Sequence, residues 1–193
     1  MAGEIEVFDN AVPSQLVATL DEIVRMPIWK HGSKSSADDP FSFWFAPFAD
    51  GEPALEKFSP ELFSLWLCAK RLLKGGHHIE LAYANGQTYG QAGEIHTDTD
   101  EPGHKTVVFY CNSVWQPNWH GETLFYTPDR SDIIRTVLPK PGRIVIFDAN
   151  IPHAGRDPSR LCPLIRVTIT FKLRPAWMPV SSPPPTVKLP ERR

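Results

Sequence analysis

The most constraining feature of this chain is its last regular segment. There Ile165, Val167, Ile169, Phe171 and Leu173 alternate with Arg166, Thr168, Thr170, Lys172 and Arg174. A two-residue period puts each set on its own face of a β-strand. The apolar face needs a cover, and two amphipathic helices earlier in the chain can supply it. The polar face then lines the interior of a barrel, which suits a ligand-holding cavity better than a packed core.

The rest of the second half has the same character. Short strands separated by turns are expected near 79–84, 94–98, 105–112, 122–126, 133–138, 143–147, 151–154 and 164–173. That spacing predicts a mainly β fold, a double-stranded β-helix (a jelly roll of cupin-like type), with N-terminal helices packed on one sheet. Pro13 and Ser14 open the first helix, whose apolar positions Leu16, Val17, Leu20, Ile23 and Val24 recur at helical spacing. Ser59 is placed to cap the second, Pro60 sits in its first turn, and Leu62, Phe63, Leu65, Trp66, Leu67 and Leu72 follow before Gly75-Gly76 stops it. A short strand is expected from Glu4 to Phe8.

At 193 residues the chain suits one domain with one core. The expected organisation is a single domain over 1–174, with a helical support at 1–76, a jelly-roll core at 77–174 and a proline-rich tail at 175–193 running as extended chain. Residues 31–53 are rich in Gly, Ser, Asp and Pro yet carry Phe41, Phe43, Trp44, Phe45 and Phe48, so this loop either packs on the flank or forms a lid. A net charge of −2 gives no electrostatic reason to expect nucleic acid or an anionic membrane as partner. The acidic opening Met1-Ala2-Gly3-Glu4 lacks a signal-peptide layout, and three scattered cysteines make no disulfide framework. A cytoplasmic protein, monomeric or homodimeric, is expected.

His96-Thr97-Asp98 sets an imidazole and a carboxylate two residues apart, so both can face one ion if the segment is extended. His153, just past the apolar strand at 143–147, is the best third ligand. Two histidines and a carboxylate on one side of an ion leave open positions opposite, as non-haem iron(II) oxygenases require. Each piece alone is weak. What adds weight is Arg166, 13 residues beyond His153 on the polar face of the last strand, with Thr168 beside it. A guanidinium fork with a neighbouring hydroxyl suits a distal carboxylate.

With these residues in place, the stretch from about Ile79 to Leu173 resembles the prolyl-4-hydroxylase-like group of 2-oxoglutarate/iron(II) oxygenases. The resemblance rests on ordered blocks: Tyr83-Ala84-Asn85-Gly86-Gln87-Thr88-Tyr89, Lys105 to Asn112, His120-Gly121-Glu122-Thr123-Leu124-Phe125, and Lys140 to Asp148. It implies a jelly-roll dioxygenase using Fe(II), 2-oxoglutarate and O2, with ascorbate as a stimulant. His96, Asp98 and His153 carry over as catalytic iron ligands and Arg166 as the carboxylate anchor, where prolyl hydroxylases often have lysine. Tyr83, Thr106 and Thr168 carry over as co-substrate contacts. The chain departs from the pattern at His120, where the family has the first of two glycines, and in extra residues from Gly90 to Ile95.

Trp44, His104, Trp119, His120 and Arg156 are read as substrate contacts at the mouth, Arg156 together with Arg160 for an anionic group. Three readings compete: an oxygenase hydroxylating a small molecule, a prolyl or other residue hydroxylase acting on a peptide, and a cupin-like metal-binding protein without oxygenase activity. The third leaves Arg166 and Thr168 without a role. A purely interacting domain built on the proline-rich tail explains only the last twenty residues.

Overall fold

A computed structural model of the protein describes residues 4–35 and 39–178. The expected proline-rich tail lies outside the described residues from 179 onward. The order of elements is β1 (Ile5–Phe8), α1 (Ser14–Val24), β2 (Lys30–Ser33), β3 (Phe43–Ala49), α2 (Glu52–Phe58), α3 (Pro60–Lys70), β4 (His77–Gln87), β5 (Lys105–Tyr110), a 3-10 turn (Pro117–Trp119), β6 (Thr123–Tyr126), β7 (Ile133–Val137), β8 (Ile144–Asp148), β9 (His153–Gly155) and β10 (Arg166–Pro175).

The strands form two antiparallel sheets. A seven-stranded sheet runs β1-β8-β5-β10-β4-β3-β2 and a three-stranded sheet runs β7-β6-β9. This is the expected double-stranded β-helix. On β10 the apolar face behaves as its alternation predicts from Val167 onward: Val167, Ile169, Phe171 and Leu173 are buried under α1 and α3 in the main core, whereas Ile165, expected with them, precedes the strand and is exposed. Trp66 of α3 lies with its ring centroid 5.6 Å from that of Phe171. Ser59 caps α3, accepting the Leu62 N–H at 3.2 Å, with Pro60 at its first position.

The other face of β10 looks into the barrel, beside inward residues of its neighbours. Lys172 pairs across to Leu81 and Thr106, Thr170 to Tyr83 and Val108, Thr168 to Asn85 and Tyr110, and Arg166 to Gln87. These rows wall a cavity of about 290 Å³ between the sheets.

Three expectations need correction. The helix meant to run to Gly75-Gly76 ends at Lys70, with Arg71 as its C-cap, where Leu72 N–H turns back to Ala69 O at 2.9 Å and closes the last turn more tightly than the α-helical ladder. The stretch 31–53 is not mainly loop: most of it is β2, β3 and the start of α2, and β3 pairs with β4 at the far side of the large sheet. Aromatics on both faces of β3 hide its period. The stretch 94–98 is not a strand. Donors within it and just before it reach Gly155 O from Gly93, His153 O from His96 and Ala149 O from Asp98, at 2.9, 3.0 and 2.9 Å. Acceptors so unevenly spaced give one isolated bridge, His96 to His153, in place of a ladder.

Candidate active site

That bridge brings the candidate ligands together. His96 and His153 exchange both backbone bonds, N–H to O at 3.0 and 2.9 Å, so their side chains stand side by side. The ring centroids are 4.5 Å apart. Each ring is pinned through Nδ1, to Glu94 O and to Ile151 O, both at 2.9 Å. Both therefore turn Nε2 toward the same place, as a metal-binding imidazole held by a backbone carbonyl does. The Asp98 Oδ1 lies 3.6 Å from Nε2 of His96 and 3.7 Å from Nε2 of His153. One ligand atom from each residue falls within 4.8 Å of the others, a set that could hold a divalent ion.

The protonation states agree with that use. Burial pushes the Asp98 carboxyl up, but the charge of Lys172 and hydrogen bonds from Lys172 and Thr106 more than offset it, holding it at about 2. Burial lowers His153 to about 4, against the opposing pull of Asp98, so its imidazole is neutral at pH 7. An ionised carboxylate and neutral imidazole are the forms that ligate metal. Thr106 donates to Oδ2 of Asp98 and the Lys172 ammonium contacts Oδ1.

Arg166 sits deeper in the cavity, 2% exposed. Its Nε donates to Gly121 O at 2.6 Å, Nη1 to Gln87 Oε1 at 2.7 Å and Nη2 to Thr123 Oγ1 at 3.2 Å. All three partners are neutral and use three of its five N–H donors. A buried guanidinium held by neutral oxygens can receive an anion. Gly121 makes this packing possible, since a β-carbon there would lie 3.0 Å from Cδ of Arg166.

The cavity wall thus gathers His96, Asp98, His153, Arg166, Thr168, Tyr83 and Thr106. Thr106 is placed as a partner of Asp98, and Tyr83 stacks near Phe45 at 5.2 Å between centroids. The five residues read as substrate contacts are not brought there. Trp44 packs edge-on against His31, and Trp119 is buried against Trp115. His104 is buried with Nε2 3.6 Å from the Glu80 carboxylate. His120 opens onto a separate hollow with Tyr89 and Asp157, and Arg156 is exposed in its loop. In their place stand Lys172 and Gln87. Lys172 was legible, because the two-residue period that selects Arg166 reaches it after three more steps; Gln87 depends on a cross-strand register that no local pattern encodes.

No curated protein matches this chain. Its fold is similar to that of a Pseudomonas putida prolyl-4-hydroxylase, with a TM-score of 0.62 and 18% identity over 90% of this chain and 94% of that one. It is similar to a Trichoplax adhaerens prolyl hydroxylase in complex with a hypoxia inducible factor peptide fragment (TM-score 0.63, 16% identity, 88% and 82% covered). It is also similar to HygX from Streptomyces hygroscopicus with nickel and 2-oxoglutarate bound (TM-score 0.60, 11% identity, 91% and 84% covered). At such identities these likenesses carry the fold alone. Residues 81–174, which include every residue of the triad and Arg166, match the model of the 2OG-Fe(II) oxygenase superfamily, which together with the fold indicates an iron/2-oxoglutarate-dependent dioxygenase.

Proposed function

We propose that the protein hydroxylates, or oxidises by related chemistry, an unactivated C–H bond of a small molecule, with His96, Asp98 and His153 holding iron(II) and Arg166 holding the far carboxylate of 2-oxoglutarate. The observation that carries this reading is the guanidinium of Arg166, buried among neutral oxygens in the cavity that the triad also lines. Bound iron(II) supplies dioxygen activation coupled to decarboxylation of 2-oxoglutarate to succinate. The chain's own part is to hold and orient. The backbone carbonyls of Glu94 and Ile151 fix both imidazoles, Thr106 and Lys172 keep Asp98 ionised, and Gln87, Gly121 and Thr123 hold the guanidinium in one plane. Thr168, on the same face of β10, is a further co-substrate contact.

A small substrate is favoured over a peptide by the wall made from the 31–53 stretch, which we read as the lid. Ser33, Lys34, Ser35, Phe43 and Phe45 line the cavity. Asp39, 0% exposed, accepts N–H bonds from Ser35 at 3.3 Å, Phe41 at 2.9 Å and Glu94 at 3.4 Å, so it ties this arm to the His-x-Asp segment. A peptide hydroxylase needs an open groove here. The free, buried Cys68 and Cys111 support a reducing, cytoplasmic setting.

Under anaerobic conditions, iron(II) and 2-oxoglutarate should give a weak visible metal-to-ligand band, and Asp98→Ala should abolish it. Arg166→Ala should raise the 2-oxoglutarate dissociation constant roughly tenfold to a hundredfold, since a hydrogen bond to a charged group contributes about 1.5–3 kcal/mol. Full retention of the band or of affinity refutes the corresponding assignment. Succinate release screened against amino acids, nucleotide sugars and proline-containing peptides separates the substrate classes; stimulation by peptides alone would overturn the small-molecule reading.

A further inference from the structure

The charges around the cavity are unequal. Among the described residues its lining holds three cations, Lys34, Arg166 and Lys172, against one acid, Asp98. Lys172 lies six residues beyond Arg166 on β10, on the same face but roughly 20 Å along the strand, so the two cations serve opposite ends of the cavity. The Lys172 side chain is 22% exposed, its ammonium touches the Asp98 carboxylate, and it stands 6.0 Å from the centroid of the Tyr83 ring. Phe45 packs on Tyr83, and Leu81 is the cross-strand neighbour of Lys172, so this cation borders an apolar wall.

Filling the site changes the balance. Asp98 neutralises one of the two positive charges of a divalent ion. The two carboxylates of 2-oxoglutarate offset the other and the charge of Arg166. Lys172 is then left without a counter-charge and is repelled by the ion that shares Asp98. A partly buried ammonium in that position is costly unless an anion meets it. Resting on the reading of iron and co-substrate given above, we propose that the prime substrate is an organic acid, its carboxylate paired with Lys172 and its apolar body lying on Phe45 and Tyr83. One residual charge matches a monocarboxylate; a phosphate dianion would need a second buried cation, and Lys34 is exposed and solvated.

The test is calorimetric titration of the protein holding iron(II) and 2-oxoglutarate, without oxygen, with 3-phenylpropanoate, 3-phenylpropanamide and 3-phenylpropyl phosphate. The acid should bind at least tenfold more tightly than the amide. Lys172→Met should erase that preference and Lys172→Arg should keep it. Equal affinity for acid and amide, binding of neither, tighter binding of the phosphate ester, or a preference that survives Lys172→Met each overturns the proposal. So does a loss of 2-oxoglutarate affinity in Lys172→Met as large as that in Arg166→Ala, which would make Lys172 part of the co-substrate site. Failure of the wild-type protein to take up iron or 2-oxoglutarate overturns the parent reading and this one with it; the other outcomes overturn this one alone.

Discussion

Two adjacent residues show how a single backbone position tunes the site. His120 has φ 59° and ψ −138°, a conformation that costs a residue with a β-carbon on the order of 1–3 kcal/mol. The family's pattern has glycine at this point, and the geometry explains why. Its ring opens onto a hollow away from the cavity, so nothing at the triad depends on it. His120→Gly is expected to stabilise the fold by about 1 kcal/mol, read as a higher urea midpoint with an unchanged slope. Gly121 is the opposite case. Gly121→Ala would drive a methyl group against Cδ of Arg166 and the Trp115 ring, each 3.0 Å from the added carbon. It should weaken 2-oxoglutarate binding about as much as Arg166→Ala does; equal affinity in wild type and Gly121→Ala would show that the guanidinium is not held by this contact.

At the scale of the element, β10 separates stability from ligand binding by its two faces. Phe171 is buried against Trp66 in the main core, and truncation to alanine should cost about 3–5 kcal/mol of unfolding free energy. Thr170, one residue earlier, faces the cavity, and Thr170→Val should shift stability by less than about 1.5 kcal/mol, the net contribution of the one hydroxyl that is lost from a partly polar wall. Chemical denaturation of the two variants checks this; a comparable loss in both would mean that the inward face is packed like a core. The alternation in the sequence was enough to assign these faces. It was not enough for 94–98, where the functional geometry comes from one reciprocal pair of bonds between His96 and His153.

At the scale of the molecule, the N-terminus closes the large sheet. β1 pairs with β8, and just past it Asp9 accepts bonds from Arg143 at 2.7 and 3.1 Å and from Lys140 at 3.1 Å. The Arg143 hydrogen bond leads in holding Asp9 down from 3.8 to about 2, with burial opposing and Lys140 assisting. A folded-state value below the unfolded one means the stabilisation is complete above about pH 4 and is lost as pH falls toward 2. The Asp9 side chain is 39% exposed, so solvent screening keeps the effect below about 1 kcal/mol. Asp9→Asn should therefore be slightly less stable than wild type at pH 7 and indistinguishable from it near pH 2, by thermal unfolding. A deficit that persists at pH 2 would point to lost packing.

The amino-acid sequence by itself determined the barrel and the two covering helices, which follow from period, capping residues and spacing acting over a few residues. The ordered triad and the basic residue on the last strand were candidates on spacing alone and drew their weight from the order of the blocks that resemble the oxygenases. Only the tertiary structure decided that the 31–53 arm is a hairpin on the cavity wall, that the supposed mouth residues Trp44, His104, Trp119, His120 and Arg156 lie elsewhere, and that Lys172 meets Asp98. Those outcomes depend on cross-strand register and on which turn returns the chain to which edge, and contacts between residues as far apart as Gln87 and Arg166 leave no trace in local pattern.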